Sequence, residues 1–322
     1  MRQFAKPTIV VSKCLEFDAC RYNGEMIPDV TIRNLQPFVT FIPVCPEVEI
    51  GLGTPRETIR IVEENGENRL MQPSTREDVT EKMEQFSNDF LQTIPDVDGF
   101  ILKNRSPSCG TRDVKIYSGF EKAPAKGKGA GLFGGAVVKN FSHLPIEEEG
   151  RLSNFIIREH FFTRLFTIAY YKMIKHNKNM KELVSFQSDN KYLFMAYNQV
   201  KQKELGRIIA NQKNEKIEVV FENYEKTLYE LFMRAPRYTS NVNVCEHIFG
   251  YFKTKLKKQE KDHFIELLQK YAEKKIPLSS LLTILKSWAI RFDEKYLLRQ
   301  TYFEPYPEAL VEISDSGKGR DY

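Results

Sequence analysis

Three short apolar runs in the first third of the chain each lead into a turn that holds a cysteine. Pro7-Thr8-Ile9-Val10-Val11 runs into Ser12-Lys13-Cys14, and Phe38 to Val44 ends at Cys45. Asp98 to Leu102 precedes the turn KNRSPSCG, which carries Cys109. Runs this continuous, without polar alternation, are typical of parallel strands buried on both faces. Parallel order constrains more than local structure, because ligand sites in open parallel sheets collect beyond the carboxyl ends of the strands. The three cysteines, far apart in sequence, are therefore expected at one sheet edge.

The rest of the first half fits an α/β domain. Thr75 to Thr93 spaces Val79, Met83, Phe86 and Phe90 along one helix face, with Ser74 or Thr75 as the expected N-cap. Residues 58–62 and 69–71, separated by ENGEN, read as a hairpin. The stretch GKGAGLFGGAVV (127–138) lacks the strand that a dinucleotide fingerprint needs before it. It reads as a flexible loop closing over the site, its backbone N–H groups facing an anion. From Ser153 onward the period becomes helical. Phe155, Ile156, Phe161, Phe162, Leu165 and Phe166 form one stripe, and residues 192–210 form another. Residues 217–233, 245–256, 263–274 and 278–291 continue it. The expected fold is an α/β N-terminal domain with a mainly parallel sheet over 1–150, joined at GRLSN (150–154) to an all-α domain over 151–313. The tail SDSGKGRDY (314–322) is expected to be flexible.

Charge divides the chain in the same place. Up to Gly150 there are 18 Lys and Arg against 22 Asp and Glu; after it there are 30 against 21. A weakly acidic half followed by a basic one suggests that the second half meets a polyanion. No apolar run is long enough to span a bilayer, and MRQFAKPTIVVSKC does not resemble a signal peptide. A cytoplasmic protein of bacterial type, without a membrane partner, is the expectation.

In a reducing compartment five cysteines do not suggest structural disulfides, and four of them lie in the first 110 residues. Three converging thiolates suit a soft metal centre. A zinc site would more often show closely paired cysteines or histidines, yet there is no CxxC, and the first histidine is His143. An iron–sulfur cubane accepts thiolates from distant loops, and three protein ligands would leave its fourth iron open. The plain alternative is a set of unconnected loop cysteines. Cys20 reads as a fourth ligand, a neighbouring thiol or an inert one, and Cys245, among apolar neighbours on a helix, as core.

Three segments, SKCLEFDACRYNG (12–24), PVCPEVEIGLGTPR (43–56) and LKNRSPSCG (102–110), resemble the signature of the DUF523 family, whose characterised members are thiouracil desulfidases. The resemblance covers about residues 5–145. One departure is Phe17, where the family pattern has a small residue or glycine. The resemblance implies a [4Fe-4S] cluster held by Cys14, Cys45 and Cys109, an open iron that takes the sulfur of a thiocarbonyl base, and replacement of sulfur by oxygen without net redox change. Such chemistry needs a proton acceptor and a donor. Glu47 is the candidate general acid/base, with capping of the next segment as its equal alternative. Ser106 and Ser108 are candidates to hydrogen-bond the base or the cluster, or simply to form the turn that aims Cys109. Arg56 is a candidate for a base carbonyl or phosphate, against a surface salt bridge, and Lys103 is a further substrate-binding candidate.

The second half resembles the DUF1722 family through KYLFMAYNQVKQKELGRIIA (191–210), chiefly its KELGRIIA end, over about residues 155–300. Gln187, Asn190 and Tyr197 stand where members of that family tend to have histidines, so no histidine role carries over. Proteins with this two-domain pattern look like tRNA 4-thiouridine desulfidases, and a basic second domain would supply the phosphate contacts. Lys253, Lys255, Lys257 and Lys258, beside Tyr251 and Phe252, are candidate RNA contacts, and Lys172, Lys175 and Lys178 form a second group; a solvated helix face is the ordinary alternative. The substrate expected is 4-thiouridine in tRNA. The alternatives are free 2-thiouracil or a thionucleoside, and, from another class, a non-catalytic RNA-binding module with a structural metal centre.

Overall fold

The computed structural model describes residues 2–119, 124–211 and 214–312. They fall into two compact units, one running to Ala169 and including the residues from Ala309 on, the other spanning Tyr170–Glu308. The expected flexible tail, 314–322, lies outside the described residues.

The first unit is built on strand β1 (Thr8–Ser12), helix α1 (Val30–Leu35), strand β2 (Thr40–Val44) and the four-residue helix α2 (Pro46–Glu49). Strands β3 (Arg60–Glu64), β4 (Glu67–Gln72) and β5 (Glu77–Asp78) follow, then helix α3 (Thr80–Thr93) and strand β6 (Gly99–Leu102). Strands β7 (Val114–Tyr117) and β8 (Ala125–Gly129), helix α4 (Leu132–Phe141), strand β9 (Ile146–Glu148) and helix α5 (Glu149–Leu152) complete it, with helix α6 (Phe155–Asn177) running on across the unit boundary. One sheet has the order β2-β1-β6-β9, every pair parallel. Ser12 pairs with Val44 and Val11 with Ile101, so all three cysteine-bearing turns leave the same edge of this sheet. The second sheet is mixed, in the order β5-β4-β3-β7-β8.

Burial follows position in the sheet. Strands β1 and β6 are buried nearly throughout, as their unbroken apolar runs predict. Strand β2 reads just as apolar but lies at the edge, and most of it is partly open to solvent. The expected hairpin is β3–β4, turned by Asn65 and Gly66, both at positive φ. Helix α3 begins at Thr80 rather than at Thr75. Residues 77 and 78 are taken into the sheet, and Asp78 Oδ1 accepts hydrogen bonds from the backbone and hydroxyl of Thr80. Ser74 and Thr75 therefore cap nothing.

The glycine-rich stretch is not a loop. It forms the end of β8 and the body of α4, and its backbone N–H groups meet carbonyls of the Cys109 turn instead of an anion. Gly131 donates to Gly110 O (2.7 Å), Leu132 to Pro107 O (3.1 Å) and Gly134 to Ser108 O (2.9 Å). A Cβ on Gly134 would collide with the carbonyl oxygens of Cys109 and Gly110, so glycine here permits close backbone approach.

The second unit is helical: α7 (Met180–Asp189), α8 (Lys191–Tyr197), α9 (Gln199–Ala210), α10 (Ile217–Leu231), α11 (Tyr238–Gly250), α12 (Lys258–Ala272), α13 (Leu278–Arg291) and α14 (Lys295–Leu298). The stripe over 192–210 is broken at Asn198, which ends α8 and caps α9 by accepting from the Val200 and Lys201 amides. Tyr171, Phe186, Phe194, Tyr224 and Phe232 are central to its core. Among the described residues no helix is long and apolar enough to cross a membrane.

Candidate active site

Cys14, Cys20, Cys45 and Cys109 all line one cavity of about 350 Å³ at the carboxyl edge of the parallel sheet. Each arrives by a different local device. Cys14 lies two residues beyond β1. Cys45 occupies the N-cap position of α2, where Pro46 starts the helix. Cys109 is carried by a turn in which Ser106 Oγ accepts from the Cys109 amide (3.1 Å) and the Ser108 amide (3.3 Å), and Gly110 N donates to Ser106 O (2.9 Å). Ser106 thus shapes the turn that aims Cys109.

Glu47 is the centre of the polar wall. One carboxylate oxygen, Oε2, accepts from Arg56 Nε (2.9 Å) and Nη2 (2.7 Å). The other, Oε1, accepts from Ser108 Oγ (2.6 Å), and Ser108 Oγ lies 2.9 Å from Ser106 Oγ. The carboxylate makes no cap for α2, so the capping alternative is set aside. The Arg56 pair is not a surface bridge either: its side chains are 4% and 13% exposed. Arg56 Nη1 also donates to Cys20 O and Gly53 O, both at 2.9 Å. Most of its guanidinium is committed to the protein, where it ties Glu47 and the Cys20 loop together.

Lys103 also lines the cavity, with its ammonium bonded to Asn104 and Glu149. Its backbone N–H donates to Ser12 Oγ (2.9 Å), which joins β6 to the end of β1. Three supporting residues lie outside the set of candidates. Ser12 is fully buried beside Cys109, Glu149 Oε2 accepts from Asn104 N (2.7 Å), and buried Glu148 accepts from the Thr111 amide (2.7 Å) and hydroxyl (3.0 Å). A run of three glutamates reads as a solvated surface, and only their place at the end of β9 turns two of them inward. Phe17 packs edge-on against Phe41, with ring centres 5.2 Å apart, and is not part of the cavity lining.

The donor set fits an iron–sulfur cluster. Burial pushes the Cys14 thiol up to about 12, helped by the neighbouring Cys45, and pushes Cys20 up to about 12 and Cys109 well up. Buried thiols like these remain protonated unless a cationic centre stands among them, and a metal that needs thiolates reverses that balance. Among the described residues no three Cys, His, Asp or Glu gather tightly enough for a single metal ion. Cysteines from separate turns that line one cavity are a donor set that an iron–sulfur cluster can take.

The second unit uses its candidates differently. Cys245 is fully buried in α11, 3.8 Å from the Tyr302 hydroxyl, as core. Gln187 Oε1 accepts from the Tyr224 hydroxyl (2.6 Å), Asn190 Oδ1 from Thr301 Oγ1 (2.7 Å), and Tyr197 packs edge-on against Phe232. These are closed packing contacts. Lys255 pairs with Glu294, Lys175 with Glu225 (2.7 Å) and Lys178 with Glu218 (3.2 Å), while Lys253 lies over the Phe249 ring.

Comparisons with known proteins bear on both halves. A family model described as 2-thiouracil desulfurase matches residues 9–149, and one described as a protein of unknown function, DUF1722, matches residues 191–307. YbbK of Bacillus subtilis (strain 168), an uncharacterized protein, is 36% identical over 118 residues, 34% of this chain and 77% of YbbK. YbgA of Escherichia coli (strain K12), also uncharacterized, is 22% identical over 156 residues, 48% of this chain and 92% of YbgA. A solved structure described as the [4Fe-4S]-dependent thiouracil desulfidase TudS is 25% identical, with 46% of this chain and 93% of that one covered and a TM-score of 0.36. Given the identity to YbbK over most of YbbK's length, and a family model that spans all four cavity cysteines, the chain belongs to the 2-thiouracil desulfurase family.

Proposed function

We propose that the protein is a [4Fe-4S]-dependent desulfidase that converts 4-thiouridine in tRNA to uridine. Three strand-end cysteines lining one cavity with the hydrogen-bonded Glu47 and Ser108 carry this reading. Cys14, Cys45 and Cys109 are the residues that would hold the cluster. When bound, it supplies a soft Lewis acid that draws electron density from a thiocarbonyl sulfur. The overall change is balanced without redox: thiocarbonyl and water give carbonyl and hydrogen sulfide.

The remaining work falls to protein groups. Arg56 fixes the Glu47 carboxylate in one orientation through Oε2. Oε1 is then directed at Ser108, in reach of a proton from attacking water. The chain Ser106 Oγ, Ser108 Oγ and Glu47 Oε1 is continuous at 2.9 and 2.6 Å, so a proton taken at the carboxylate can be returned to a ring nitrogen through a hydroxyl. Lys103, oriented by Glu149, offers a cation to the base carbonyl. A base held in an RNA would turn outward to reach the cavity.

The basic second half supports a tRNA substrate, with Lys253, Lys257 and Lys258 as its candidate phosphate contacts. The ion pairs of Lys255, Lys175 and Lys178 favour the second reading, a free thiolated base with the helical unit in another role. Protein purified without oxygen should contain iron and sulfide and bleach the thiocarbonyl absorbance of tRNA carrying 4-thiouridine. Conversion of free 2-thiouracil with tRNA left untouched would select the second reading. Iron-loaded protein that converts neither would overturn both and leave a module with a structural metal centre.

A further inference from the structure

We infer that Tyr22 is the stacking platform that holds the pyrimidine ring of the substrate; this rests on the desulfidase reading and assigns the face of the base rather than its edge. The cavity wall is otherwise made of thiols, hydroxyls, a carboxylate, basic groups, an amide and small apolar side chains. Most of those groups read the edge of a base or hold a cluster, and only the guanidinium planes share with an aromatic ring the ability to cover a face. A planar heteroaromatic ring also has two faces, and binding sites for single bases cover a face with an aromatic side chain. Among the described residues Tyr22 is the one aromatic residue in the lining. It is 43% exposed, although an aromatic ring of this size usually gains by burial.

The backbone around it is held at several points. Arg21 N donates to Glu25 O (3.3 Å), Gly24 N donates to Arg21 O (2.9 Å), and Gly24 takes φ +74°, which closes a tight turn over residues 21–24. Arg56 N donates to Tyr22 O (2.8 Å), so the residue that orients Glu47 also anchors this turn. The Arg21 guanidinium lies 5.5 Å from the Tyr22 ring centre and is held by Glu25 at 3.3 Å. A tethered cation thus lies against the ring, and the residue lines the cavity while keeping 43% of its surface open. Two residues earlier the Cys20 carbonyl accepts from Arg56 Nη1 (2.9 Å), so the same arginine also holds the chain leading into the turn.

The test uses the full chain carrying its iron, as wild type, Tyr22→Phe and Tyr22→Leu. Three quantities are read: the Kd of uracil by calorimetry, KM and kcat for 2-thiouracil and for tRNA with 4-thiouridine, and iron content. Tyr22→Leu should raise the uracil Kd and the KM for free base about tenfold, with kcat little changed and iron retained. Tyr22→Phe should behave as wild type, because stacking needs the ring and not the hydroxyl. Unchanged Kd and KM in Tyr22→Leu would overturn the inference. So would a KM rise confined to tRNA, which would put Tyr22 against a neighbouring nucleotide, or loss of iron from both variants, which would make the turn purely structural. Wild-type protein that binds uracil but turns over no thiolated uracil would sink the desulfidase reading while the calorimetric comparison still judged Tyr22.

Discussion

The two units treat buried polar groups in opposite ways. In the helical unit they close on one another: Tyr224 with Gln187, Thr301 with Asn190, Tyr302 with Asn241. Each pair satisfies itself within a packed core. In the α/β unit the hydrogen bonds around the strand-end cysteines run toward an opening. Arg56 holds Glu47, Glu47 receives Ser108, Glu149 orients Lys103, and the free ends line the same space as four thiols. The cysteines repeat the contrast: Cys245 is filler among apolar side chains, while Cys14, Cys45 and Cys109 stand beyond strand ends. What distinguishes a site from a core is not the burial of its polar groups but whether their partners leave them aimed at a void.

The sharpest way to break this contrast is to remove one thiol from each unit. Cys109→Ala should lose its iron and all measurable turnover, whereas Cys245→Ala should keep both; iron and sulfide assay beside desulfidation reads the difference. Next in size, Glu47→Gln should lower kcat about 10³-fold with iron content unchanged. Retained kcat would assign the proton transfer to another group. Arg56→Met leaves Glu47 as a buried, unpaired carboxylate and frees the Cys20 loop, so denaturant unfolding should show a loss of about 3 kcal/mol.

Tyr224→Phe breaks a closed pair in the helical unit. It should cost about 1 kcal/mol in stability, leaving turnover of free 2-thiouracil as it was. A loss of turnover would show that the helical unit's closed pairs also serve the site. The smallest expected effect concerns pH. Burial, with the nearby Arg164 charge, lowers the His160 imidazole to about 3. A depressed histidine is neutral when folded and protonates more readily when unfolded. Its contribution is therefore present above about pH 6.5 and falls as the pH drops toward 3, by about 1 kcal/mol between pH 7 and 5.5. Unfolding midpoints of wild type and His160→Gln at the two pH values would show the histidine's share of that loss.

Much of the fold could be read directly from the residues. Unbroken apolar runs mark β1 and β6, Asn65-Gly66 marks a hairpin, and helical spacing marks α13 over Leu278–Arg291. The errors share one cause. The helix expected from Thr75 loses its first turn to a strand pairing with β4, and the glycine-rich stretch becomes a helix because the Cys109 turn offers carbonyls for it to pack on. Both outcomes depend on partners that local propensity does not see.

The sequence by itself determined that three cysteines follow three strands, and hence that they share an edge, because a strand's period and its end are local properties and parallel order aligns the ends. Only the tertiary structure decided what surrounds them. Ser108 meets Glu47 across 61 positions and Glu149 meets Asn104 across 45. Ser12 buries beside Cys109, and Tyr22 joins the cavity lining. Hydrophobic spacing fixes which face of an element turns inward. The hydrogen bonds that finish a site depend on the order and register in which elements from distant parts of the chain come to lie side by side, and no window of sequence contains both partners.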